Sequence, residues 1–234
     1  GEWDLADKEN FRSADGSDVF VTGDTVTFND NATNTNVKIT EPVQPKAIIF
    51  DNNTKDYTLS GAAVTGESQI TKKGDAALTI NNVSDFTGSV SLNGGTTKVA
   101  TLGATNGVNN GPFGYYTNRV TLNGGTLAPQ ASFTTSHPFA IGANGGTIDV
   151  PAGVTMTMGN ALTGDGNTLT KNGDGQLTMP GTVAFDKLIV NGGTVQANEK
   201  SGAHAYPTTV VLNGGVLRDP DNFNTSSSNR ANVQ

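Results

Sequence analysis

Val120-Thr121-Leu122-Asn123-Gly124-Gly125-Thr126-Leu127 is the stretch that decides the fold. Valine and leucine flank a threonine, the period-two signature of a half-buried strand. Asn-Gly-Gly then supplies backbone that accepts positive φ and turns sharply, and Thr126-Leu127 opens a second strand. The same triplet recurs at Asn93, Asn144, Asn191 and Asn213. Three of these follow comparable runs: Val90-Ser91-Leu92, Leu188-Ile189-Val190 and Val210-Val211-Leu212. The continuations Thr147-Ile148, Thr194-Val195 and Val216-Leu217 match as well. From 123 to 144 and from 191 to 213 the spacing is about 21–22 residues, one turn of a parallel β-helix with three short strands and three corners. Antiparallel hairpins place turns every 8–12 residues or so, which leaves a β-sandwich as the competing architecture.

A longer repeat encloses the short one. Thr71-Lys72-Lys73-Gly74-Asp75-Ala76-Ala77-Leu78-Thr79-Ile80 returns as Thr170-Lys171-Asn172-Gly173-Asp174-Gly175-Gln176-Leu177-Thr178-Met179. Each copy leads to a phenylalanine (Phe86, Phe185), an Asn-Gly-Gly turn (Asn93, Asn191), a variable loop and a second strand-turn unit at Val120 or Val210. Residues 66–130 and 164–220 thus read as two copies of one multi-coil block, with 143–158 as one further coil between them. The expected organisation is an N-terminal cap and first coil over 1–30, β-helix coils over 31–223, and a Ser-rich linker or frayed end over 224–234. The one short helix candidate is Leu5–Phe11. Trp3 reads as cap core, and Phe20, Phe28, Phe50, Phe86 and Phe185 as interior stacking residues.

Composition narrows the function. Only 34 % of the 234 residues are apolar and 30 are glycine. The alternation argues against disorder, and a solenoid needs less core per residue because each coil packs on its neighbours. Net charge is −7 without a Lys/Arg cluster, so neither nucleic acid nor an anionic membrane is an expected partner. An acidic surface rich in Asn, Thr and Gly suits neutral polar ligands. Absence of cysteine removes disulfides, cysteine metal sites and thiol chemistry. No segment approaches the roughly 20 apolar residues of a membrane span. The chain reads as a module excised from a longer protein.

The series Trp3…Asp18-Val19-Phe20…Gly23-Asp24-Thr25-Val26-Thr27-Phe28…Ile48-Ile49-Phe50…Tyr57-Thr58-Leu59-Ser60-Gly61 resembles the coils of autotransporter passenger domains. Leu169–Thr178 is similar to the passenger-associated repeat. The likeness covers most of residues 1–220 and implies a right-handed parallel β-helix, while saying little of activity. The repeats also resemble a group of β-helical carbohydrate-binding modules of gut-bacterial xylanases. That resemblance implies an extracellular or cell-surface bacterial location, a covalently linked catalytic domain and xylan as a ligand.

Some β-helices are polysaccharide-cleaving enzymes, and glycoside hydrolysis wants two carboxylates about 5–10 Å apart in a cleft. Here Asp30, Asp51, Asp56, Asp75, Asp165 and Asp174 lie in turns, where aspartate ordinarily accepts backbone N–H groups. His137 and His204 have no sequence-adjacent triad partner. Asp15-Gly16-Ser17-Asp18 and Asp219-Pro220-Asp221 offer hard oxygens for calcium, but ordinary turns account for both, and no cofactor is expected. Aromatic loops carry the stronger signal: Pro112-Phe113-Gly114-Tyr115-Tyr116-Thr117-Asn118-Arg119 and Gly202-Ala203-His204-Ala205-Tyr206-Pro207. Tyr116 precedes Val120, and Tyr206 precedes Val210, by the same interval. Equivalent positions are expected to share a face, about 15–20 Å apart at one coil per strand spacing. Tyrosine rings stack on the apolar faces of sugars while their hydroxyls bond outward. The candidate ligand-binding set is therefore Tyr115, Tyr116, Asn118, Arg119, His204 and Tyr206, with a cell-wall polysaccharide as the partner. A surface adhesin or passenger fragment, and then a lyase-like enzyme, are the competing functions.

Overall fold

The computed structural model describes residues 1–103, 109–180, 183–196 and 207–218, and the backbone of 232 and 233. The chain is an all-β parallel helix of about eight turns. Its strands pair in parallel with the strand one coil earlier and one coil later. That excludes the β-sandwich; antiparallel pairing occurs in the short hairpins Phe11–Ser13/Gly16–Asp18 and Asn110–Gly111/Gly114–Tyr115. No helix occurs among the described residues. The Leu5–Phe11 candidate is irregular chain that enters the first hairpin, and Ala6 sits at φ 54°.

Three faces can be followed by register. The first stacks Val26, Ile48, Ile70, Val90, Val120, Phe139, Leu162 and Val183. On the second, Tyr57, Leu78, Thr97, Leu127, Ile148, Lys171, Val190 and Leu212 form one column. The third carries Met156, Leu177, Val195 and Leu217. These columns are continuous because the strands alternate: one residue of each pair enters the core and the next meets solvent. Val43 and Val64 bridge at the third-face position of the early coils.

At the N-terminal end the first coil is closed by rings. Trp3 is buried, with its strand Glu2–Trp3 paired on Asn36–Ile39. It meets Phe11, Phe20 and Phe28 at 5.8, 5.2 and 5.6 Å. Phe28 stacks on Phe50 at 5.0 Å, which carries the aromatic cluster into the regular coils. Phe20, Phe50, Phe86 and Phe185 are buried and Phe28 is half-buried against the core, as the alternation predicts.

Two buried lysines hold the corners of the long repeat. Lys72 donates to the carbonyls of Lys73 and, at 2.8 Å, Gly74. Lys171 donates to Asn172 and Gly173 at 2.8 and 2.7 Å, and to Gly192 of the next coil at 3.3 Å. Carbonyls turned inward at a corner have no strand partner, and an ammonium with three donors satisfies them. Gly173 is required beside it: φ is 76°, and a Cβ there would lie 2.3 Å from the Val150 carbonyl.

Candidate functional site

From Val26 through Val183 most coils advance the first face by about 19–23 residues, whereas Val90 to Val120 takes 30. The surplus is the aromatic loop, which replaces the third-face strand of that coil. Its short hairpin, Asn110–Gly111 with Gly114–Tyr115, turns at Pro112-Phe113 and enters its second strand at Gly114. There φ is 74°, and a Cβ would meet the Phe86 carbonyl at 2.3 Å.

The loop is anchored from three directions. Phe113 is fully buried beneath it. On the preceding coil Ser84 donates its N–H to Gly111, and the Phe86 carbonyl accepts from Tyr115 N–H at 2.9 Å. Asn118 commits its amide to backbone, donating to the Phe86 carbonyl of the preceding coil at 2.7 Å and to that of Phe113 within the loop at 3.0 Å. From the following coil comes His137, also fully buried, with Nδ1 3.0 Å from the Asn118 carbonyl and Nε2 3.2 Å from that of Leu102. What this frame presents outward is a ring pair. Tyr115 and Tyr116 are half-exposed, with centroids 4.8 Å apart and planes at 51°.

The expected ligand set separates on this geometry. Tyr115 and Tyr116 are adjacent and reachable, and Arg119 is exposed at the start of the next first-face strand. Asn118 is buried, and its donors are committed to backbone, so it supports the loop instead of addressing a ligand. His204 and Tyr206 lie outside the described residues. Val120 belongs to the first-face column, while Val210 pairs with Leu188 on the second face. The two valines, alike in their sequence setting, thus lie on different faces of the helix. His137 is the residue that sequence reasoning missed, because its partners lie 19 and 35 residues away and no local pattern announces them.

Of the aspartates expected in turns, Asp51 and Asp165 lie in the strands Ala47–Asp51 and Leu162–Asn172 instead, whereas Asp30 and Asp56 act as turn residues. Asp30 accepts N–H groups of Asn53, Thr54 and Lys55 at 2.9, 3.1 and 3.0 Å, which together hold its carboxyl down at about 2. Asp56 accepts from Ala77 N–H. Asp18 caps the adjacent Val19 N–H within the hairpin, and Asp219 and Asp221 lie outside the described residues. Among the described residues no three His, Asp or Glu side chains converge as a metal site, and no helix is long and apolar enough to cross a membrane. No protein-family model, curated protein or solved structure matches the chain.

Proposed function

We propose that this chain is a non-catalytic carbohydrate-binding module whose ligand is a neutral cell-wall polysaccharide. The observation that carries the reading is the Tyr115–Tyr116 pair: two half-exposed rings in contact, on a loop anchored to the coils on both sides. Rings held in place before a ligand arrives lose little freedom on binding, and they suit the apolar faces of pyranose rings. Arg119 beside the loop offers donors to sugar hydroxyls. Xylan is the first polymer to test, on the strength of the resemblance to modules of gut-bacterial xylanases. In that setting the module sits outside the cell and raises the effective concentration of a linked glycoside hydrolase at its substrate.

Affinity electrophoresis against soluble xylans, glucans, mannans and pectins, with reducing-sugar release read in the same tubes, tests the proposal. The expected result is retardation by one polymer class without release. Tyr115→Ala or Tyr116→Ala should weaken it at least about tenfold, roughly 1.4 kcal/mol. Retardation unchanged in both variants sinks the tyrosine site. Retardation by no polymer favours the adhesin reading, and release of sugar favours an enzyme.

A further inference from the structure

The imidazole of His137 lies between two backbone carbonyls, those of Leu102 and Asn118, at 3.2 and 3.0 Å. These residues stand at the two ends of the aromatic loop. A carbonyl only accepts, and a neutral imidazole has one N–H, so the neutral ring bonds one end of the loop and turns a bare nitrogen lone pair toward the other. Only the imidazolium donates to both. Against that stands the environment, since the side chain is fully buried and the Phe113 ring lies edge-on at 6.5 Å. The loop brings Tyr115, Tyr116 and Arg119, all at least partly in solvent, and the coil beneath brings Asp85, which is exposed. Neither the segment around His137 nor the Thr155–Met158 strand of the next coil has an ionisable residue. None of these groups stands among the causes of the shift in its titration, which are burial and the two carbonyls. Burying a cation with two neutral acceptors and no counter-charge costs more than the two bonds return.

We propose that His137 is the positioning residue of the tyrosine loop and acts as an acid-opened latch: neutral, it seats the loop, and protonation releases it. The proposal rests on the polysaccharide reading only for what the loop presents. Burial pushes the imidazole below its ordinary value of 6.5. The open state thus takes up the proton first, and the seated state is favoured above that value and weakened as pH falls below it. A module built this way holds its ligand at neutral pH and loosens in acid.

Amide hydrogen exchange on the whole chain, without sugar, reads the latch directly. The reporters are the N–H groups of Tyr115 and Asn118, bonded to Phe86 and Tyr115; those of Thr58 and Ile70, bonded to Thr35 and Ser89 in the coils, serve as references. Between about pH 7.5 and about pH 5, after correction for intrinsic rates, loop protection should fall about tenfold relative to the references. His137→Gln, which keeps a side-chain amide able to donate but does not titrate, should abolish that pH dependence. If the variant folds poorly, the wild-type imidazole can be followed by NMR and should titrate below free histidine. Loop and reference amides changing in parallel, or His137 titrating at or above about 6.5, overturns the latch. Polymer retardation at the two pH values is a separate readout. Its complete absence defeats the polysaccharide reading and leaves the exchange result standing.

Discussion

The two copies of the long repeat, around Lys72 and around Lys171, are alike in sequence and in local conformation, yet they sit on different faces. In each, a buried lysine caps the carbonyls of the following corner. The equivalent turns also match. At Asn93 and Asn191 the second glycine is left-handed (Gly95 and Gly193), whereas at Asn123 and Asn213 it is the first (Gly124 and Gly214). Lys72, however, stacks between Phe50 and Leu92 on the first face. Lys171 stacks between Ile148 and Val190 on the second. A repeat of this kind encodes a corner and its two flanking strands. Which face the corner joins depends on the length of all the chain before it.

An all-or-none experiment breaks the comparison if the register is wrong. Val211 neighbours Ile189 on the second face; on the first face, as its likeness to Thr121 would have it, its neighbour would be Ala184. Ile189→Cys with Val211→Cys should oxidise readily to an intramolecular disulfide, since neighbouring strands lie about 4.8 Å apart, within bridging range. Ala184→Cys with Val211→Cys should stay reduced. Equal oxidation of the two pairs, read by thiol counting and mass spectrometry, would overturn the rotation by one face.

Smaller effects sharpen it. Lys171→Met and Lys72→Met each leave inward carbonyls without a donor, a loss of about 1–3 kcal/mol in chemical denaturation. Lys171 should cost more, because it also bonds Gly192 in the next coil and so joins two coils. Equal or negligible losses would mean that water replaces the ammonium at both corners.

Much of this was legible because it is local. Alternation in Val120–Leu122 and the spacing of the Asn-Gly-Gly turns yield strands, corners and coil length, since side-chain direction and turn backbone are fixed within a few residues. Even the inward lysines can be read from the phase of Ile70-Thr71-Lys72. The face of Val210 is a different matter. It follows from the number of corners and strands crossed since Val120. Two coils of unequal length, or one third-face strand replaced by a loop, carry equal motifs to unequal places. At the candidate site the tyrosines were legible as residues out of keeping with a solenoid strand. Asn118 was not, since an asparagine reads alike whether its amide meets solvent or the Phe86 carbonyl. The seat of His137 depends on pairing across coils.

The early corners offer the last test, because there an acid does what lysine does later, with the hydrogen-bond roles reversed. Asp30 accepts three N–H groups from the next coil, while Lys72 donates to carbonyls within its own corner. Both side chains have depressed pKa values, for different reasons. Hydrogen bonds from Asn53 and Thr54 favour the Asp30 carboxylate and take it from 3.8 to about 2. Burial disfavours the Lys72 ammonium and takes it from 10.5 to about 8, against the pull of Asp75 and Asp51. In each case the unfolded chain binds more protons between the two values, so stability rises with pH across each window. Asp30 contributes stability that is full above 3.8 and lost as pH falls toward about 2. Lys72 adds stability as pH climbs from about 8 to 10.5. Urea melts across pH should therefore show Asp30→Asn flattening the acid limb alone and Lys72→Met flattening the alkaline limb alone. The acid effect should be small, since Asp30 is partly in solvent and screened. An Asp30→Asn variant with the wild-type acid limb would show that the three N–H bonds survive on a neutral acceptor, and that charge adds nothing to this corner.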